Sequence, residues 1–132
     1  MRYLTVLEIL ELAEYACQGQ EVGVRDLGLV ASAAHRPGSQ MFGVEAYPGL
    51  FEKAAALLHS LASNHPFVDG NKRTAWMAAV VFLDLNGVDM AGIDQDAAYD
   101  LVVGVAAGEV AEVGAIADRL SGLAEGARPG AG

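Results

Sequence analysis

Cysteine, basic side chains, aromatic rings and long apolar runs are all scarce in this 132-residue chain, and each shortage removes a class of protein. The single cysteine, Cys17, cannot close an internal disulfide or begin a thiolate zinc site, and it reads as a small buried residue on the first helix. Lysine and arginine total 8 against 17 acidic residues, a net charge of −9, so the average surface repels DNA and RNA and no direct nucleic-acid partner is expected. A nucleotide ligand stays possible if cations cluster locally, and Lys72 and Arg73 are adjacent. The longest apolar run, residues 75–83, falls far short of the roughly 20 needed to cross a bilayer, so no membrane partner is expected. The start runs from Met1 straight to Glu8 and Glu11 without the apolar stretch of a secretory signal, which points to a cytoplasmic protein. Aromatics make up only 7% while alanine carries much of the apolar content, a mixture that suits closely packed helices better than a sheet. An all-α fold of one domain follows.

The hydrophobic spacing predicts about six helices in a compact bundle. Residues 5–18 carry Leu7, Leu10 and Ala13 at helical spacing, and residues 19–23 break the pattern. Asp26 can cap a second helix over 27–35, which Pro37 stops. Residues 36–49 form a connection punctuated by glycine and proline. Its Met41, Phe42 and Tyr47 suit either a flap that touches a partner or a segment folded back on the core. Pro48 opens a helix over 48–63 with a stripe of Leu50, Ala54, Leu57, Leu58 and Leu61. A helix over 72–86 is apolar nearly all round, so it is expected to be the central one. Asp94 can cap a helix to about 107, and residues 109–120 make the last. The domain is expected over 1–123, with 124–132 as a flexible tail.

The chemistry concentrates between the two long helices, in Asn64-His65-Pro66-Phe67-Val68-Asp69-Gly70-Asn71-Lys72-Arg73-Thr74. A short loop here enters a helix start, whose unpaired N–H groups and dipole attract anions. Gly70 lets the backbone approach a ligand, Asn71 suits a cap, and Lys72 and Arg73 add two cations, so a phosphate group fits. Asp69 offers a carboxylate for Mg²⁺ bridging a polyphosphate, and His65 can take a proton from a hydroxyl near neutral pH. Phe67 would anchor the loop. Taken singly each residue has an ordinary structural explanation; their order and spacing carry the functional one. Trp76 reads as core packing more than as a base-stacking ring. His35 and His59 lack metal-ligand spacing with His65, and Arg25, Asp26 and Arg36 suit either bracing of the flap or contact with a target.

The run from His65 to Arg73 resembles the signature of the Fic/Doc superfamily, His-Pro-Phe-x-(Asp/Glu)-Gly-Asn-(Gly/Lys)-Arg, in the form found in the death-on-curing (Doc) toxins. Arg25-Asp26-x-Gly28-Leu29, Arg36-Pro37, the stretch from Phe51 to His59, and Phe82-Leu83-x-Leu85-Asn86-Gly87 are similar to that family too. The resemblance implies the Fic/Doc fold, with His65 as general base, Asp69 holding Mg²⁺, Gly70 and Asn71 shaping the anion hole, and Lys72 and Arg73 on the nucleotide phosphates. Fic AMP-transferases usually carry a second Gly where this chain has Lys72 and a second Arg where it has Trp76. In the Doc branch such changes accompany a reversed ATP, whose γ-phosphate faces the target hydroxyl. The resemblance therefore implies a protein kinase acting on a threonine of translation elongation factor Tu, with AMP transfer and a non-catalytic binding module as alternatives. It also implies control by a Phd-type antitoxin, with the flap at 36–49 as a docking region.

Overall fold

The helix starts follow local capping chemistry. In the computed structural model, which describes residues 1–128, α1 (Val6–Ala16) begins after Thr5, whose hydroxyl accepts from the Glu8 N–H at 3.1 Å. Glu8 returns the bond by accepting from the Thr5 N–H at 2.9 Å, completing a capping box. Asp26 caps α2 (Leu27–His35) through the Leu29 N–H, and Asp94 caps α5 (Gln95–Ala106) through the N–H groups of Asp96 and Ala97. Between them lie α3 (Leu50–Asn64) and α4 (Asn71–Leu85), and α6 (Val113–Ala127) closes the chain. Pro48 precedes α3, and Gly49 takes the cap position.

The Arg2 guanidinium also holds Glu8, Nη2 to Oε2 at 2.5 Å. This ion pair, and then the Thr5 N–H, lower the Glu8 carboxyl from 4.5 to about 2. A carboxyl depressed in the native state stabilises fully above its unfolded value, and that contribution is lost as pH falls from about 4.5 towards 2. Glu8→Gln should therefore lower the melting temperature modestly at neutral pH and flatten the acid limb of its pH curve, with the variant and wild-type curves converging as pH falls towards 2.

The two long helices form the central pair, and α3 is the more enclosed. It touches α2, α4, α5 and α6, burying Ala54, Ala55, Ala56, Leu57, Leu58, Leu61 and Ala62. Its alanines allow neighbouring helices to approach closely. The apolar stripe of α4 predicts that it should be the most enclosed helix, yet Trp76, Met77, Val80 and Val81 are only half-buried and Leu85 is exposed. The enclosure of α3 extends even to Lys53, only 1% exposed. Its ammonium donates to Glu45 Oε1 at 2.9 Å and to the Tyr47 carbonyl, so a residue that reads as surface is sealed in.

Those partners belong to a feature the helical pattern does not foretell. The expected irregular connection holds one 3-10 turn (Arg36–Gly38) and a hairpin of β1 (Gln40–Met41) and β2 (Val44–Glu45), paired antiparallel with Gln40 opposite Glu45. The turn puts Phe42 and Gly43 at φ 53 and 79, the geometry of a two-residue hairpin turn. Phe42 is 98% exposed at the tip, whereas Tyr47 is half-buried. Arg36 pins the base of this hairpin: it donates to the Tyr47 hydroxyl at 3.0 Å and to Ser60 Oγ at 3.0 Å, and its guanidinium lies over the Tyr47 ring. His59 Nδ1 lies 2.8 Å from Arg36 Nη1; burial, then the Arg36 charge, push this imidazole below its ordinary value, so it accepts as the neutral ring.

The last helix continues past its expected end at Leu120 to Ala127, because Leu120 and Ala124 keep a buried stripe going through Gly122 and Gly126. The remainder of the expected tail, residues 129–132, lies outside the described residues. Among the described residues no helix is long and apolar enough to cross a membrane.

Candidate active site

The segment joining α3 to α4 is a loop with unusually complete backbone pairing. At its start His65 is the C-cap of α3 in left-handed conformation, φ 49 and ψ 59. Pro66 and Phe67 then turn inward, and Phe67 is 1% exposed, the buried anchor that its position predicts. Asn71 holds Phe67 from the other side: its Oδ1 accepts from the Phe67 N–H at 3.0 Å, and its Nδ2 donates to the Phe67 carbonyl at 2.9 Å. Asn71 is thus not the helix cap that its residue type suggests. It is the first residue of α4, and its amide is spent on the loop.

The cap position belongs to Gly70, at φ 75, with no side chain bonded to the first N–H groups of α4. Those donors and the positive end of the dipole stay available to an anion. Asp69 Oδ1 accepts from the Gly70 N–H at 2.8 Å. Beneath Gly70 lies Cys17, which is half-buried at the end of α1 rather than within the core. A Cβ at position 70 would come within 3.2 Å of its sulfur. Gly70→Ala should therefore cost about 1–2 kcal/mol from the left-handed backbone, and Cys17→Ala in the same chain should relieve only the steric part. Denaturant midpoints of the single and double variants check this.

A second strand-like segment lies along the loop. Val24 forms an antiparallel bridge with Phe67, and the Gly23 carbonyl accepts from the Val68 N–H at 2.8 Å. The N–H groups of Arg25 and Asp26 both donate to the Pro66 carbonyl, at 2.8 and 3.1 Å. The Arg25 side chain donates to the carbonyls of Asn64 and His65, both at 2.7 Å. Arg25 thus braces the motif loop and not the flap, whereas Arg36 braces the hairpin. The Arg25 contact spans 40 residues of chain, so no local pattern signals it.

His65, Asp69, Gly70, Asn71, Lys72 and Arg73 line one open cleft of about 600 Å³, a size suited to a small-molecule ligand. His65, Asp69, Lys72 and Arg73 are exposed in it, and its far wall is the end of α1 and the following turn, Cys17 to Gly23. Trp76 is half-buried against the core and edges three further grooves, one shared with Tyr15 and Met77, one with Gln95 and Tyr99, and one with Val80 and Met90. His35 is exposed, on the last turn of α2. Among the described residues no group of three or more His, Cys, Asp or Glu side chains could cage a metal. Asp69 alone, with one oxygen on the Gly70 N–H and lone pairs to spare, suits a Mg²⁺ ion whose other ligands come from phosphate and water.

Comparison with known proteins identifies the family. The Fic/DOC family model matches residues 3–83. The chain is 48% identical to Toxin Doc of Mycolicibacterium smegmatis, across 97% of this chain and 98% of that protein. It is 36% identical to Protein kinase doc of Escherichia phage P1, across 95% of this chain and 100% of the phage protein. With its motif folded into a single cleft and relatives that match it end to end, the chain belongs to the Fic/DOC family, on the branch of the Doc toxins.

Proposed function

We propose that the chain is a toxin that transfers the γ-phosphate of ATP to a hydroxyl of a target protein, a threonine of elongation factor Tu. The observation that carries this reading is the convergence of His65, Asp69 and the cationic start of α4 on one cleft. Lys72, Arg73 and the N–H groups at the start of α4 hold the phosphates. His65 takes the proton of the attacking hydroxyl as the new oxygen–phosphorus bond forms, the bond to the β-phosphate oxygen breaks, and ADP leaves. Asp69 would hold Mg²⁺, which when bound would supply charge neutralisation on the phosphates. Such a transfer needs chiefly positioning and neutralised charge, so a sparse site suffices. Lys72 stands where AMP-transferases of the family carry a glycine, a change that in the Doc branch goes with presenting the γ-phosphate to the target hydroxyl. The name of the phage relative, a protein kinase, supports the same reaction.

A Phd-type antitoxin is the proposed neutralising partner. The exposed hairpin, with Met41, Phe42 and Val44 open to solvent, and the apolar grooves beside Trp76 are the proposed docking region. AMP transfer is the second reading, since Gly70 and the His-Pro-Phe start also occur in AMP-transferases. Intact-mass analysis of elongation factor Tu, after exposure to the chain with ATP and Mg²⁺, separates the two. A gain of one phosphate supports the kinase, a gain of one AMP supports the alternative, and an unchanged mass sinks both for that target.

A further inference from the structure

We infer that Arg25 is a positioning residue that sets the direction of the His65 imidazole through the backbone on either side of it. The inference rests on the role proposed above for His65. A helix end leaves carbonyls without intrahelical partners, and a glycine commonly relieves that position because it accepts a left-handed backbone. Here the left-handed residue is His65, at φ 49. Its own preference runs the other way, because a residue before proline is pushed towards extended conformations by the ring that follows.

Arg25 supplies what local preference lacks. The Asn64 carbonyl belongs to the peptide plane before the Cα of His65, and the His65 carbonyl to the plane after it. Arg25 Nη2 donates to the first and Nε to the second, each at 2.7 Å. One rigid guanidinium therefore holds both planes, and with them the two torsions that decide where the Cβ of His65 points. Its charge also sits at the negative end of the α3 dipole. The Arg25 backbone is fixed in turn by its N–H on the Pro66 carbonyl. His65 lines the cleft and Arg25 does not, which places Arg25 behind the imidazole. The phosphate end is held separately, by Asn71 on Phe67 and by Gly70.

The separation makes a kinetic prediction. Arg25→Gln should lower kcat for γ-labelled phosphate transfer by on the order of 10- to 100-fold, as expected for a misplaced reacting group, with KM for ATP within about twofold of wild type. A readout independent of turnover comes from the imidazole carbon-bound proton signals of the 3 histidines. The His65 signal should shift or broaden in Arg25→Gln while those of His35 and His59 stay in place. If wild type transfers no phosphate, the proposed reaction falls and the imidazole signals still decide the positioning. Should Arg25→Gln fail to fold, Arg25→Lys replaces it: one ammonium cannot span both carbonyls with the same fork, so a smaller kcat loss and a displaced His65 signal are expected. An unmoved His65 signal in the folded variant, or a loss expressed equally in KM, overturns the inference.

Discussion

His65→Ala should abolish phosphate transfer to the target, by roughly 10²- to 10⁴-fold, the usual contribution of a positioned proton acceptor, while far-ultraviolet circular dichroism stays that of the wild type. The side chain is exposed and lies outside the hydrophobic core, so removing it opens no cavity. The loop retains its other anchors, since Arg25 binds the carbonyl of residue 65 and not its ring. Transfer is measured with γ-labelled ATP, alongside α-labelled ATP to detect AMP transfer. A variant that modifies the target at near wild-type rate would remove His65 from the chemistry, whatever the fate of the other assignments.

The second large effect concerns stability. Phe67→Ala should destabilise the chain by about 3–5 kcal/mol, the usual cost of emptying a buried aromatic site. Phe67 is enclosed among the core residues of the bundle, and the loop meets the core through this ring. Since small domains are stable by only about 5–15 kcal/mol, the variant should sit near the edge of folding. The urea midpoint should fall sharply with an unchanged slope, and Phe67→Leu should recover part of the loss. A Phe67→Ala chain that unfolds within about 1 kcal/mol of wild type would mean that the ring is not the anchor and that the pairing with Val24 and Asn71 holds the loop unaided.

Most helices were legible because their signals are local. Thr5, Asp26 and Asp94 each stand immediately before an apolar stripe, and the observed starts follow them. The six candidate site residues share one cleft for a related reason: they are nearly contiguous, so one loop and one helix start bring them together. What escaped depends on contacts between distant segments. Lys53 reads as solvent-facing until the hairpin places Glu45 and Tyr47 over it. The hairpin itself has strands of two residues and a Phe-Gly turn, with no Asn-Gly or Asp-Gly to announce it. Gly122 and Gly126 look like the end of structure, yet Leu120 and Ala124 extend the buried face of α6 past Gly122. Asn71 shows how residue type can suggest the wrong local role. Its amide reaches backward to Phe67, a geometry that residue type alone does not distinguish from a cap.

The bridge between Val24 and Phe67, with the flanking Gly23–Val68 bond, gives the motif loop the character of a short edge of sheet. Its amides should exchange with deuterium at the slow rate of a scaffold element and not at the fast rate of a connecting segment. A loop ordered in this way would surrender little conformational entropy on taking up the nucleotide proposed above, so the ordering cost of that binding would fall mainly on the ligand.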